Sequence, residues 1–532
     1  MHLVLIATSA NQSYIFASNR LREAVGASEL VRLSTTEWVA TAVTASGSGR
    51  TETVQESSGS TLLVVDGPGG GADRARQLVN QVTRTALRDA PGLDIAGAAV
   101  PITGPVPTPD EVAAVFKEHA STVARRVSTL GRFQRLPSVA ACASTDRPAQ
   151  AWHSDASRAS DGGAKPNAAP LPLSAEAIAK RRTRPAADHR MGRQVGAGVP
   201  LVDIDKFFEQ VERVAVVHAD GNGLGAVFRT AAERLGNAAE VKTLSEQVQQ
   251  AADQALRRAA TELLTRVRAA SVRRAGQPEQ RCPLVPLIVG GDDLTVLVDG
   301  RYALGFVRDY LQHFGERTGT ELVRKAAGRQ CLTASAGIAI VTPHFPFSTA
   351  YAIAEELCTS AKVPTRHNPA IHALDLHIQL DSLASDLETI RERYRTRAVV
   401  LHERPFLLPV EGGLPADLAH HGLDQLINRV RKVHSLARGR TDGRVVSRTQ
   451  LHALREELRT DPGRAQRRFA DLWRRAEGSA ADREVLSTLA GAAGERPADP
   501  PRLLRPASRS AGRSTPLIDA LEIATITPGG AL

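Results

Sequence analysis

Aromatic residues and cysteines are scarce in this chain of 532 residues, and each scarcity excludes a class of protein. Phe, Trp and Tyr make up 4% of the chain, which argues against a surface that stacks single-stranded bases on aromatic rings. The four cysteines are far apart and form no CxxC pair: Cys142, Cys282, Cys331 and Cys358. This spacing excludes a zinc ribbon and a small disulfide scaffold, and it is typical of reduced thiols in the cytoplasm.

Long apolar runs are also missing from the sequence. The first apolar stretch, LVLIA at 3–7, is short and lacks the basic flank of a signal peptide. No run approaches the roughly 18 apolar residues that a membrane-spanning helix needs. The sequence therefore predicts a cytoplasmic protein that does not interact with a membrane.

The composition that is present is that of a globular protein. Hydrophobic residues make up 42% and charged residues 23% of the chain, which excludes a wholly disordered protein and a collagen. Lys and Arg number 67 against 57 Asp and Glu, a net charge of +10. This basic excess permits binding to nucleic acid or polyphosphates but does not require it.

Two segments show strands alternating with helices, and together they predict an α+β protein with two ferredoxin-like (βαββαβ) domains. In the first segment the pattern predicts strands at 3–7, 61–67 and 92–100, and helices at 17–43 and 72–90. In the second it predicts a strand that runs into a Gly-rich turn at 211–225, a hairpin at 285–298, a strand at 332–341, and helices at 226–275, 301–318 and 350–362.

The remaining segments differ in composition and set the predicted boundaries. Ala, Ser, Pro, Gly and Arg dominate residues 143–198, which predicts a loose linker. Residues 420–490 have helical patterns with basic positions, and the stretch after 495 is rich in Pro and Arg. The predicted division is a first domain at 1–135, a linker or insertion at 136–199, a second domain at 200–410, a helical domain at 411–495 and a flexible tail at 496–532.

Three aspartates at two turns are the strongest candidates for chemistry. Asp292 and Asp293 lie in the hairpin turn Gly290-Gly291-Asp292-Asp293, and Asp220 follows another apolar strand. In a split βαβ sheet the first strand lies beside this hairpin, so the three carboxylates meet. Like charges that close raise one another's pKa unless a cation neutralises them, and Mg²⁺ or Mn²⁺ prefers oxygen ligands. The alternative is an ordinary solvated hairpin turn, which also favours Gly and Asp.

The turn Asp220-Gly221-Asn222-Gly223-Leu224-Gly225 indicates an anion site. Its glycines let the backbone approach a ligand, and the N–H groups of the following helix point at it, which suits a triphosphate. A dinucleotide-binding turn would need a second strand ending in an acid about 20 residues later, and the sequence there favours a helix. A flexible connector between strand and helix stays open as the alternative.

Two further polar residues belong to the same segment. Lys362 ends the last predicted helix of the second domain, where it offers a counter-charge for the β- and γ-phosphates of a nucleotide. A lysine at a helix C-terminus is also favoured by the helix dipole alone. His218 lies inside the strand before Asp220, and we expect it to be a packed side chain.

The second segment resembles the second palm domain of the large, polymerase-like subunit of type III CRISPR effector complexes, a relative of the GGDEF nucleotidyl cyclases. The motifs that carry this resemblance are HADGNGLG, IVGGDDLTVLV, SAGIAIVTPHFPF and AEELCTSAK, in that order. The N-terminal LIATSANQSYIFASNRLREAVGASEL resembles the start of the first palm of that family. ALDLHIQL at 373–380 and the helical region after it are also similar to the family.

The resemblance implies synthesis of a cyclic oligoadenylate second messenger from ATP in antiviral defence. By motif, Asp220, Asp292 and Asp293 would be the catalytic, metal-holding residues. Gly221, Asn222, Gly223, Gly290, Gly291 and Lys362 would bind the nucleotide.

The sequence departs from the family in three places. We expect no N-terminal HD nuclease domain, the paired zinc-knuckle cysteines are reduced to Cys142, and the first domain has Val65-Asp66-Gly67 in place of GGDD. The first palm is therefore expected to lack a metal site.

Two other functions compete with the synthase. One is a catalytically silent, nucleotide-binding regulatory or scaffold subunit of a CRISPR-like defence system. The other is a nucleic-acid-binding subunit, which the basic C-terminal helices favour. The expected partners are ATP, RNA or other subunits of a defence complex, and a second copy of the chain in a homo-oligomer.

Overall fold

The structure is a computed structural model. It describes residues 1–532 except 19, 48, 68–70, 127–132, 134–135, 154–169, 197, 203, 237, 276–280, 380–385, 397–398, 416–417, 439–444, 492–498 and 507–512.

The first unit, residues 1–124, is a four-stranded antiparallel sheet with helices on its faces. The strand order is β2-β3-β1-β4. Its elements are β1 (His2–Ser9), α1 (Asn11–Ile15), α2 (Leu21–Thr35), α3 (Glu37–Ala45), β2 (Thr51–Ser57), β3 (Ser60–Val65), α4 (Ala72–Asp89), β4 (Asp94–Pro101) and α5 (Pro109–Ala124). The segment predicted as one helix at 17–43 is two helices, and β2 and α5 are elements that the sequence pattern did not predict.

A short antiparallel ribbon and a long helix follow the first unit. They are β5 (Ala151–His153), β6 (Leu171–Leu173) and α6 (Ala175–Val195).

The second unit, residues 204–409, is built on a six-stranded sheet with the order β13-β11-β10-β7-β9-β8. The β10–β11 pair in this sheet is parallel, and the other pairs are antiparallel. The elements are α7 (Ile204–Gln210), β7 (Val214–Gly221), α8 (Leu224–Leu235), α9 (Ala238–Ala275), β8 (Leu284–Gly290), β9 (Asp293–Asp299), α10 (Ala303–Thr318), α11 (Glu321–Ala327), β10 (Ala334–Val341), α12 (Phe347–Thr365), β11 (Ile371–Ile378), α13 (Leu387–Glu392), β12 (Val399–Val400) and β13 (Phe406–Pro409).

The rest of the chain is mainly a helical bundle. After a 3₁₀ turn at Ala419–His421 come α14 (Leu423–Arg438), α15 (Arg448–Thr460), α16 (Pro462–Arg475), α17 (Ala480–Ala490), β14 (Arg505–Pro506), β15 (Arg513–Ser514) and α18 (Leu517–Ile526). None of the helices in the described parts of the chain is long and apolar enough to cross a bilayer. The α+β class is confirmed, whereas the ferredoxin-like assignment and the domain boundaries stay predictions.

The six-stranded sheet separates two hydrophobic cores. Successive side chains of a strand point to opposite faces, and β7 follows this rule. Ala215 and Val217 face the core shared with α9, α10 and the bundle. Val214 and Val216 face the core shared with α12, α2 and α6. Each unit therefore contributes to the stability of the other.

The prediction of a loose linker over 136–199 is wrong for α6. This helix packs along α2 so closely that a Cβ on Gly26 of α2 would collide with the carbonyl oxygen of Lys180. Arginines on α6 also pair with buried acids of α2, with Nε of Arg181 2.7 Å from Oε1 of Glu23. The segment lacks apolar periodicity because small residues and ion pairs, instead of large apolar side chains, make its contact.

The close approach of α2 and α6 predicts opposite effects of two Gly→Ala substitutions. Gly26→Ala forces two helix backbones apart and is expected to cost about 1–3 kcal/mol or more. Gly192→Ala, in the interior of α6 with no atom within 4 Å of a Cβ built on it, is expected to stabilise by up to about 1 kcal/mol. Thermal unfolding of both variants tests this. Equal effects would mean that α6 does not pack on α2.

The prediction of a flexible tail over 496–532 is wrong for α18. Leu517, Ile518, Leu521 and Ile523 of this helix are all buried against the bundle. The Pro- and Arg-rich residues before α18 dominate the composition of this region, so a reading by composition misses a ten-residue apolar helix.

Candidate active site

The candidate acids lie at one end of the six-stranded sheet, on the face that α12 covers. β7 pairs with β9 in antiparallel register, with His218 opposite Thr295. Because side chains alternate along a strand, Asp220 lies on the same face as His218, and Asp293 on the same face as Thr295. The alternation of side chains along β7 and β9 thus places Asp220 and Asp293 on the same face of the sheet, under α12.

The carboxylate of Asp220 is paired with Lys362, which lies in the last turn of α12. Nζ of Lys362 donates a hydrogen bond to Oδ2 of Asp220. The two side chains keep 28% and 37% of their exposure, so the pair is open to solvent on one side. The structure thus brings together two of the residues singled out in the sequence, 142 positions apart.

Asp292 lies against the end of β7. A Cβ at Gly221 would come within 2.8 Å of Cβ of Asp292, so a larger residue at 221 would push the hairpin tip away. The carboxyl of Asp292 is within hydrogen-bonding reach of Asp220. Glycine is therefore needed at position 221 for packing, because a side chain there would keep Asp292 away from Asp220.

Both hairpin acids have raised pKa values. Burial, followed by the negative charge of Asp220, raises the pKa of Asp292 to about 6. Burial, followed by the charges of Asp220 and Asp292, raises the pKa of Asp293 to about 8. The Asp293 side chain still keeps 44% of its exposure, so a cation can reach it from solvent. Two neighbouring acids with raised pKa values, of which Asp293 resists ionisation at neutral pH, indicate that this site is short of positive charge.

His218 does not supply that charge. Its Nδ1 lies 3.5 Å from Oδ1 of Asp293 and 3.2 Å from Oγ1 of Thr295. Burial lowers the pKa of His218, so its ring is uncharged at neutral pH. The prediction that His218 is a packed side chain is confirmed, since it is 6% exposed and its ring contacts Tyr351 edge-on. Oδ1 of Asp293 is left without a hydrogen bond.

These donors fit a hard divalent cation, although they do not converge on one point. Within the residues that the structure describes, no group of three or more His, Cys, Asp or Glu side chains is gathered as a metal site requires. The ammonium of Lys362 takes up one oxygen of Asp220 instead. An orphaned Asp293 oxygen beside two further carboxylates is the donor set that Mg²⁺ or Mn²⁺ prefers. Metal binding by the three acids stays a prediction.

Asn222 is buried, and its side chain is hydrogen-bonded within the protein. It is 4% exposed, its Nδ2 donates to Oγ1 of Thr333 at 3.0 Å, and its Oδ1 accepts from Oγ of Ser335 at 2.8 Å. Its backbone N–H donates to the carbonyl of Thr333. These groups tie the turn to β10 and to the residue before it, and nucleotide binding by Asn222 stays a prediction.

Gly223 and Gly291 remain candidates for backbone contact with a ligand. Their φ angles are +71° and +61°, in the region that favours glycine. No atom lies within 4 Å of a Cβ built on either residue. Both turns therefore present open backbone next to the acids.

Two residues that the sequence pattern does not mark hold the hairpin from outside. Oε1 of Gln249, on α9, accepts a hydrogen bond from the N–H of Gly291 at 2.5 Å. Ser58, in the β2–β3 turn of the first unit, lies close to Gly290: a Cβ built on Gly290 would be 2.8 Å from the Cβ of Ser58. In strand order, β2–β3 occupies the place in the first sheet that β8–β9 occupies in the second. The GGDD turn thus contacts the equivalent turn of the first unit, which contains Ser58. Asp66 is not in that turn, because it follows the opposite end of β3.

The first unit also contacts the wall of the site through α1. Nε2 of Gln12 lies 3.1 Å from the hydroxyl of Tyr351 and 2.8 Å from Oε1 of Glu355, both on α12. The Phe16 ring packs on Tyr351 with ring centroids 4.2 Å apart. Since Tyr351 contacts His218, the first unit supports the side chains around Asp293. Nothing in the local sequence of either segment marks these pairs.

The raised pKa of Asp293 predicts a pH-dependent stability. Its pKa rises from 3.8 to about 8 on folding, so the native state binds the proton more tightly and loses stability as pH increases through this window. In metal-free buffer the melting temperature of the parent should fall between about pH 4 and pH 8 relative to that of Asp293→Asn. The matched control is Asp73→Asn, at an exposed position of α4. Parallel curves for the parent and Asp293→Asn would contradict the prediction.

One family model matches the part of the chain in which the candidate site lies. Residues 213–370 match the family model described as Cas10/Cmr2, second palm domain. This range contains Asp220, the hairpin acids and Lys362. No curated protein matches the sequence significantly.

Solved structures share the fold of the chain. It is similar to a chain in the crystal structure of the Csm1–Csm4 cassette in complex with cA3, with 13% identity, a TM-score of 0.53, and coverage of 99% of this chain and 69% of that chain. It is also similar to Csm1 in T. onnurineus, with 13% identity, a TM-score of 0.50 and the same coverage. The chain spans 65% of the length of a chain in the same cassette in complex with cA4.

Proposed function

We propose that this chain is a nucleotidyltransferase of the type III CRISPR large-subunit class, which makes a cyclic oligoadenylate from ATP in antiviral defence. In this proposal the two units are ferredoxin-like palm domains, and the second holds the active site. The match of residues 213–370 to a second palm domain supports this proposal. The antiparallel strand order also supports it, because β10-β7-β9-β8 in the second sheet repeats the order β4-β1-β3-β2 of the first sheet.

One observation carries the proposal: the fold brings three acids and a lysine from distant chain segments to one end of the second sheet. Asp220 and Lys362 are paired, and Asp292 is within reach of Asp220. An ordinary hairpin turn has no need of a neighbouring carboxylate. Grouping like charges is unfavourable, so this cluster is better explained by a cationic ligand than by stability.

The chemistry is attack of a ribose 3′-hydroxyl on the α-phosphorus of ATP. The O3′–Pα bond forms, the bond from Pα to the bridging oxygen breaks, pyrophosphate leaves, and the hydroxyl proton passes to solvent. Bound Mg²⁺ or Mn²⁺ would neutralise charge on the attacking and leaving oxygens. Asp220, Asp292 and Asp293 would hold the metal. The open backbone at Gly223 and Gly291, with Gly221 and Gly290 beside it, would position the nucleotide.

Incubating purified protein with labelled ATP and Mg²⁺ or Mn²⁺, then identifying products by mass spectrometry, tests the proposal. Cyclic or linear oligoadenylates and pyrophosphate are the expected products. RNA and partner subunits of a defence complex are added in separate arms, because the chain is proposed to act with such partners. Size-exclusion chromatography with light scattering tests homo-oligomerisation. Unchanged ATP in every arm would contradict the synthase.

A silent nucleotide-binding subunit is the second candidate. The pairing of Lys362 with Asp220 favours it, because a lysine that permanently holds this acid would exclude a metal ion. This candidate predicts binding of ATP without turnover, and equal binding with and without Mg²⁺. Binding of a fluorescent ATP analogue in EDTA and in Mg²⁺ separates the two functions.

A further inference from the structure

Lys362 occupies the position beside Asp220 where the proposed function needs a cation. We propose that Lys362 is an internal counter-ion that competes with the divalent metal for Asp220. The ligand-free site then binds bare metal weakly, and the metal enters together with the phosphates that draw the lysine away. This inference rests on the proposed function and concerns how the same site is loaded.

The electrostatics of the site support competition. Asp220 lies between an ammonium group and the carboxyl of Asp292, so its charge is already neutralised on one side. Within the described residues, no arginine and no other lysine forms an ion pair with Asp220, Asp292 or Asp293. Metal binding to the three acids must therefore displace this one ammonium or share the Asp220 carboxylate with it.

The geometry lets the ammonium leave at low cost. Lys362 and Asp220 keep 28% and 37% of their exposure, and ion pairs with this degree of exposure are weak. The backbone of Lys362 is fixed, because its carbonyl accepts hydrogen bonds from the N–H of Arg366 and Oγ1 of Thr365. A compact charge on a flexible four-carbon chain can thus move from a carboxylate to a phosphate while the helix stays in place.

The test measures metal binding without turnover. Binding of Mn²⁺ is followed by the loss of the free-ion EPR signal in the parent, Lys362→Met and Lys362→Arg. Removing the competing charge is expected to tighten binding of bare Mn²⁺ by about tenfold in Lys362→Met. Lys362→Arg should stay near the parent. In the same variants, binding of a non-hydrolysable ATP analogue with Mg²⁺ should weaken in Lys362→Met, because a phosphate contact is lost.

The matched control is Lys325→Met. Lys325 pairs with Glu240 at 3.1 Å on another surface, so this variant removes the same charge without touching the acids. Unchanged or weaker Mn²⁺ binding in Lys362→Met, with a native circular dichroism spectrum, would overturn the inference. Equal tightening in Lys325→Met would also overturn it, by showing an effect of net charge alone.

Failure of the proposed function would look different. If Asp292→Ala/Asp293→Ala binds Mn²⁺ as tightly as the parent, the acids are not a metal site and both proposals fail. If the double variant loses Mn²⁺ while Lys362→Met does not gain affinity, only the counter-ion role of Lys362 is wrong.

Discussion

The double variant Asp292→Ala/Asp293→Ala is expected to lose Mg²⁺-dependent ATP turnover completely while keeping its fold. Both side chains lie at a partly exposed hairpin tip, and Oδ1 of Asp293 has no hydrogen-bond partner among the described residues. Their removal takes away two acids whose pKa values are raised by burial and mutual repulsion. The metal-free variant should therefore be as stable as the parent, or slightly more stable.

The loss of Mg²⁺–ATP binding in the double variant can be measured as a smaller rise in melting temperature. A ligand that binds only the native state stabilises it by RT ln(1+[L]/Kd), about 2.7 kcal/mol at a hundredfold excess over Kd. Mg²⁺ with ATP should raise the melting temperature of the parent, and the double variant should lose most of this rise.

Asp66→Ala is the matched control for the double variant. Asp66 follows β3 of the first unit, which is expected to lack a metal site, and its side chain is 47% exposed. Its Mg²⁺–ATP shift should equal that of the parent. Equal shifts in all three proteins would mean that the GGDD segment is only a hairpin turn.

Arg404→Met is expected to destabilise the protein by about 3–5 kcal/mol, because it breaks a buried network of ion pairs. The Arg404 side chain is fully buried; its Nε lies 2.7 Å from Oδ1 of Asp519 and its Nη2 lies 2.8 Å from Oε2 of Glu522. A third donor reaches the carbonyl of Leu376 on β11 at 3.0 Å. Removing the guanidinium leaves two buried carboxyl groups without their arginine partner, and α18 loses these ion pairs with the segment before β13.

Tryptophan fluorescence during urea unfolding measures this loss of stability in the helical bundle. Trp473 on α16 is 3% exposed in the bundle, and replacing Trp38 and Trp152 by Phe makes it the sole reporter. The control in this background is Arg467→Met, whose partner Asp461 is 3.9 Å away and exposed; it should cost less than about 1 kcal/mol. An equally small loss in Arg404→Met would contradict the prediction.

The centre of the second unit could be predicted from the sequence because its strands are continuous apolar runs. The hairpin predicted at 285–298 is β8 and β9, and the strand predicted at 332–341 contains β10 (Ala334–Val341). Such strands are buried on both faces, so their composition alone marks them. Asp220 and Lys362 stand out in the sequence because each lies at the end of an apolar element.

Elements such as α6 could not be predicted from the sequence, because the residues that they bury are small or charged and not large and apolar. α6 buries Ala177, Ala179 and the fully enclosed Lys180, whose ammonium is satisfied by Glu176 at 2.6 Å. A buried lysine with a paired glutamate has the same composition as a solvated surface.

The sequence predicts that Asp220 meets the hairpin acids, but it could not predict the contacts that reach the site from other elements. Ser58 and Gln12 reach the site from the first unit, and Gln249 reaches it from the long helix α9. Each is an ordinary polar residue in its own segment. Only the packing of the two units, which depends on many weak contacts, brings them to the acids. The sequence favours a phosphate contact for Lys362, and its contact with Asp220 is likewise a product of the tertiary fold.

The Arg404 ion pairs also impose an order on biosynthesis. Arg404 leaves the ribosome 115 residues before Asp519, the acid that neutralises it. During that interval the guanidinium has no partner from α18, so closing the sheet edge at β13 around it would bury an isolated charge. The nascent second unit is therefore expected to stay open at this edge, exposed to chaperones, until α18 emerges and docks. Its final folding step is thus coupled to a late stage of translation.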